Sequence, residues 1–323
     1  MQKVTKNVSG YMAIIAILVL YFVNTLVYKF IPEGSVHDWA YYLVSGTLLL
    51  LISVGVPMLL GFDIKGRTGV RKKLDFTSLL LVVLAGCLLM VFGLGYSNIL
   101  YYTLQAIGYN SISTLPVTDT VGKIIVAFVG MAILPALGEE FLVRGSIFQS
   151  LKGSKGTKSA ILLTSLFFAV MHGNVTQLGH QFLVGLVCAV VITVGGSIWY
   201  GVILHLTNNA VTIGLNILNS TNKLQVIITP SQFFTSWDFL VAIALMILGF
   251  IGVYFVIRYL MKRRYGRFDE KVKLLTAIER FEGEKPQEEY VDKVQNRLFY
   301  CAIIAFSVMV VLDFVLVLCG VTL

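Results

Sequence analysis

An all-α, polytopic membrane bundle of about nine transmembrane helices is the fold that this sequence predicts, and three observations predict it. The chain is 57% hydrophobic and 13% charged, with a mean hydropathy of +0.84. Its apolar residues fall in blocks of roughly twenty, enough to cross about 30 Å of hydrocarbon as helix. The basic residues behind its net charge of +8 collect in the stretches between blocks, which is the positive-inside pattern and no nucleic-acid footprint. The alternating signature of an outer-membrane barrel is absent. The four cysteines, Cys87, Cys188, Cys301 and Cys319, all lie in apolar runs without a CxxC, so neither a disulfide framework nor a zinc knuckle is indicated.

The first span is Tyr11 to Phe30, preceded by Lys3 and Lys6. It is too long for a signal-peptide core and is read as retained, with the N-terminus inside. The second covers about Ala40 to Leu60. The loop from Gly61 to Phe76 carries Lys65, Arg67, Arg71, Lys72 and Lys73 against Asp63 and Asp75, the clearest cytoplasmic loop. A third span, about Leu79 to Leu94, leads to a connection from Gly95 to Thr120 that has no Lys or Arg and is placed outside. The fourth helix runs from near Thr120 to about Leu151, kinked at Pro135. The fifth runs from about Lys158 to His172, the sixth from about Gln181 to Val194, and the seventh from Ile198 to about Leu218. An eighth, about Phe239 to Met261, ends in Lys262-Arg263-Arg264. Residues 265–296 read as an amphipathic cytoplasmic helix. The ninth span, about Leu298 to Cys319, leaves the C-terminus outside. The chain thus divides into helices 1–3 (1–120), a core of helices 4–7 (121–218), and helices 8–9 with the amphipathic segment (219–323).

Charges inside spans cost about 2.5–3.5 kcal/mol each by insertion scales, so they mark functional sites. Glu139, Glu140 and Arg144 stand in one such run. At helical spacing Glu140 and Arg144 are i,i+4 neighbours and pair. Glu139 lies on another face and stays free. With the turn near Lys155 as a hairpin tip, Glu139 is 16 residues before it and His172 is 17 after it. Both then lie about 25 Å from the tip and can face each other. His205 and Asn209 share a face of the seventh span. By its own turn near Gly196, His205 lies about 10 Å shallower than Glu139 and His172. A glutamate and a histidine in reach of one water make a general base; a second histidine and an asparagine amide can donate to an oxyanion. Alternatively Glu139, His172 and His205 form a His₂Glu zinc set. Both chemistries end in peptide hydrolysis, and there is no HExxH.

Glu139-Glu140-xxx-Arg144, Phe168-xxx-His172 and His205-xxx-Asn209, in that order on successive helices, resemble the CPBP family of CAAX proteases and bacteriocin-processing enzymes, also called the ABI family. The resemblance covers about residues 122–215. It implies an intramembrane endopeptidase. Glu139 would be the catalytic glutamate, His172 its partner at the water, and His205 with Asn209 the oxyanion donors. Glu140, Arg144 and Phe168 would be structural support. No cofactor is expected from the metal-free glutamate mechanism argued for family members, zinc being the alternative. The implied substrate is a CaaX-type prenylated protein, a bacteriocin or another peptide precursor. The expected surroundings are the lipid bilayer, in a bacterial plasma membrane, with no nucleic acid. The competing expectation is a non-catalytic immunity or regulatory protein that binds a peptide in the same cavity.

Overall fold

The computed structural model describes residues 7–31, 35–109, 118–222, 229–266 and 293–320. Among these residues every regular element is helical. The long helices are α1 (Ser9–Phe30), α2 (Ser35–Leu59), α3 (Phe76–Ala106), α4 (Val121–Lys155), α5 (Thr157–Val170), α6 (Leu178–Gly195), α7 (Ile198–Asn222), α8 (Trp237–Tyr265) and α9 (Lys293–Leu318). Among the described residues eight of them are long and apolar enough to cross a membrane; the shorter apolar helix is α5. The chain is a polytopic membrane bundle, as its hydropathy predicts.

The outer thirds of the chain do not stand apart from the middle. Helix α1 packs on α2 and α9, α8 lies along α3, and α7 crosses α3, α4 and α6. Helix α3 runs twelve residues beyond the expected end at Leu94, to Ala106. Tyr96, Tyr101 and Tyr102, which lie in the connection expected outside, are therefore helical. The Tyr96 hydroxyl accepts the Gly179 N–H at 3.1 Å, which ties α3 to the start of α6. The expected amphipathic segment 265–296 falls mostly outside the described residues; Tyr265 belongs to α8, and residues 293–296 belong to α9.

Helices α3 and α8 approach through small residues, as membrane helices do when packing replaces the hydrophobic effect. A Cβ on Gly249 would overlap the Phe92 backbone nitrogen and lie 2.7 Å from the Leu88 carbonyl oxygen. Gly249→Ala must push the two backbones apart, and a loss of about 1–3 kcal/mol is expected. Thermal melting in detergent checks this against Gly55→Ala, where a Cβ meets nothing within 4 Å and no loss is expected.

Helix α4 is not a uniform α-helix. π-helical turns at Phe128–Ile133 and Phe141–Phe148 flank the α-helical stretch Leu134–Glu140. Pro135 sits at the start of that stretch and has no N–H to give the carbonyl of Met131, four residues back. The Asn209 side-chain amide donates to that carbonyl at 3.2 Å. A sequence-encoded break in α4 is thus closed from α7.

The α6–α7 turn is set at Gly196, whose φ of 70° suits glycine. The Ile198 N–H donates to the Thr68 carbonyl at 2.8 Å. Gly145 lies beside both Ile198 and Thr68, so this turn sits at the level of Gly145. The α4–α5 turn, ten residues further along α4, projects about 15 Å beyond it. The two turns are therefore at different heights, and the expected shallow placement of His205 disappears.

Candidate active site

Helices α4, α5, α6 and α7 bring the polar residues together. Arg144 and Glu140 are fully buried, with Nη1 donating to Oε1 at 2.8 Å. Arg144 Nη2 donates to the Gly185 carbonyl on α6 at 3.0 Å, and its guanidinium lies 4.3 Å from the centre of the Phe168 ring. The i,i+4 pair predicted from spacing is present, and a cation–π contact from α5 covers it.

His205 joins this cluster. Its Nδ1 lies 3.2 Å from Glu140 Oε1, so both Arg144 and His205 address the same carboxylate oxygen. The other oxygen, Oε2, is buried with no hydrogen-bond partner. It faces Gly201, where a Cβ would come within 3.0 Å of it. Glycine at 201 lets α7 lie against the carboxylate.

Glu139 stands apart from that cluster, as its helical angle predicts. Its Oε2 lies 4.0 Å from His172 Nε2 and is buried without a hydrogen-bond partner. The two side chains keep 14% and 19% exposure, so this pair stays partly accessible while Glu140 and Arg144 are sealed. His172 sits just past the end of α5, and its Nδ1 is 2.7 Å from the Phe168 carbonyl. A carbonyl only accepts, so Nδ1 carries the proton, and in the neutral ring the lone pair of Nε2 is on the side of Glu139. The Phe168 ring packs edge-on against both His172, at 4.9 Å, and His205, at 5.5 Å between centroids.

Asn209 holds the Met131 carbonyl, as described, and its Oδ1 receives Asn208 Nδ2 at 3.4 Å. Asn208 is buried, and its Oδ1 has no hydrogen-bond partner. It lies beside His180, whose Nε2 is also buried without a hydrogen-bond partner. The imidazole of His180 rests on Gly93 and stacks near Phe92. His180 and Asn208 come from different helices at no diagnostic spacing; the only trace in the sequence was their closeness to His172 and His205. Among the described residues no three His, Cys, Asp or Glu side chains are grouped so as to hold a metal ion. Glu139, His172 and His205 therefore form no such group among the described residues.

A family model described as type II CAAX prenyl endopeptidase Rce1-like matches residues 121–211. The chain carries a CPBP-family domain. That membership implies a protease. The CPBP domain spans α4 to the middle of α7 and contains every residue of the Glu139–His172 and Glu140–Arg144–His205 groups. No curated relative and no solved structure matches the chain.

Proposed function

We propose that this protein is an intramembrane endopeptidase in which Glu139 and His172 activate the hydrolytic water. The observation that carries it is the 4.0 Å gap between Glu139 Oε2 and His172 Nε2. Both atoms are acceptors. A water about 2.8 Å from each would sit at an angle of about 90°, close enough to its own bond angle to donate one hydrogen to each. Its lone pairs then point away from both, toward an incoming carbonyl carbon.

In the first step the water oxygen bonds to the carbonyl carbon while Glu139 takes a proton, and the carbonyl π-pair moves to oxygen as an oxyanion. Asn209 has a second amide N–H beside the one given to Met131, and it serves as an oxyanion donor. His205 donates Nδ1–H to Glu140, so its Nε2 can serve the oxyanion only when that nitrogen also carries a proton. In the second step the carbon–nitrogen bond breaks, and the proton held by Glu139 passes to the leaving amine. Arg144 and Phe168 keep Glu140 and both imidazoles in place.

The CPBP domain carries over a substrate class of CaaX-type prenylated proteins, bacteriocins or other peptide precursors. The basic residues gather at the end of the bundle that holds the start of α1, the α2–α3 loop and the end of α8, so that end is assigned to the cytoplasm. The Leu318 end of α9 is then outside. Purified protein in detergent, offered prenylated CaaX peptides and unprenylated precursors, tests the activity. Cleavage by wild type and none by Glu139→Gln supports it; equal turnover by both contradicts it.

The reaction is proposed to be metal-free, because the donors for zinc do not fit a common centre. Protein purified without chelator is expected to hold well under one equivalent of zinc by elemental analysis. Stoichiometric zinc lost in both His172→Ala and His205→Ala would contradict this.

A further inference from the structure

A cavity of about 480 Å³ lies at the basic end of the bundle, where the loop before α3, the end of α6 and the end of α8 meet. Lys72, Lys73, Arg263 and Arg264 line it, with Asp75 as the one carboxylate. Four cations against one carboxylate leave a charge of +3. Arg263 Nη2 donates to Asp75 Oδ1 at 3.0 Å, and among the described residues no carboxylate pairs with Lys72, Lys73 or Arg264.

The frame is fixed from three sides. Asp75 caps α3 by accepting the Ser78 N–H at 2.9 Å. Its own N–H donates to the buried Tyr200 hydroxyl at 2.8 Å. The Lys72 ammonium sits at the end of α6, where a Cβ on Gly196 would lie 2.7 Å from Nζ and where helix carbonyls favour a cation. The Tyr200 hydroxyl keeps its own hydrogen to donate.

The inner wall is apolar. Val82 of α3, Val191 and Val194 of α6 and Leu260 of α8 line it. A simple anion would fill the basic rim and leave that wall wet. A ligand with an anionic head and a hydrocarbon tail fits both halves.

We infer that this cavity binds the phosphate headgroup of an anionic phospholipid from the leaflet that bathes the basic end, with an acyl chain along the wall of valines. Lys73 and Arg264 supply the adjustable part of the attraction, since Arg263 is paired with Asp75 and Lys72 lies packed against Gly196. Each basic residue near a charged leaflet contributes about a 5-fold gain in affinity, so removing two costs about 30-fold.

The test is thermal melting and native mass spectrometry of the full chain in detergent, titrated with phosphatidylglycerol, phosphatidylcholine or inorganic phosphate. Phosphatidylglycerol is expected to raise the melting temperature and to remain bound as one molecule per chain. Lys73→Gln/Arg264→Gln should weaken it about 30-fold, and Lys73→Arg/Arg264→Lys should restore it. Equal stabilisation by phosphatidylcholine, an undiminished effect in the glutamine variant, or saturation by inorganic phosphate alone would each overturn the proposal. Glu139→Gln is expected to bind phosphatidylglycerol like wild type, so a failure of the hydrolytic mechanism would leave this outcome standing.

Discussion

Glu139→Gln is expected to lower peptide hydrolysis by about 10²- to 10⁴-fold, the usual worth of a positioned general base, while the melting temperature stays at the wild-type value or rises. The carboxylate has no ion-pair partner within hydrogen-bond distance, and its Oε2 is shielded with no hydrogen bond. Glutamine fills the same space and removes a charge that the fold gains nothing by keeping. Turnover and melting measured on the same preparation check both halves. A large fall in melting temperature would place Glu139 among the structural groups.

The neighbouring glutamate should behave in the opposite way. Glu140→Ala leaves the fully buried Arg144 without its 2.8 Å partner and frees His205 from its 3.2 Å contact. Arg144→Ala strands Glu140 and removes the guanidinium from the Phe168 ring. Breaking a buried pair from one side costs about 3–5 kcal/mol, whereas replacing both partners by apolar groups of similar size is often neutral. Each single variant should therefore lose membrane yield and melting temperature, and Glu140→Met/Arg144→Leu should recover much of both without recovering activity. Equal instability in Glu139→Gln, Glu140→Ala and Arg144→Ala would contradict the division between the two glutamates.

That division was legible in the sequence because it depends only on helical angle. Glu140 and Arg144 are one turn apart, and Glu139 is not on their face. The Glu139–His172 pairing was legible too, since both distances run from one shared turn. The position of His205 was not, because its depth was counted from a different turn, and nothing in the sequence says that the turn at Gly196 sits about 15 Å above the one at Gly156. The π-turns in α4 were signalled only by Pro135, since a register of five leaves no hydrophobic period of its own. Asn209 was legible as a polar residue on the His205 face, but its hold on the Met131 carbonyl requires knowing that α7 crosses α4 at the proline. The overrun of α3 to Ala106 was hidden by glycines and tyrosines that suit a loop as well as a membrane helix. The His180–Asn208 contact joins two helices, and no spacing along one chain segment encodes it.

The most direct test compares the termini of membrane proteins and secreted peptides in cells making the wild type with those in cells making Glu139→Gln at matched levels. New termini found only with the wild type are the expected result; they would show endopeptidase activity and identify the substrate together. Identical termini in both, with a cellular phenotype that survives Glu139→Gln, would contradict hydrolysis at Glu139 and point to a membrane protein that binds its peptide without cutting it.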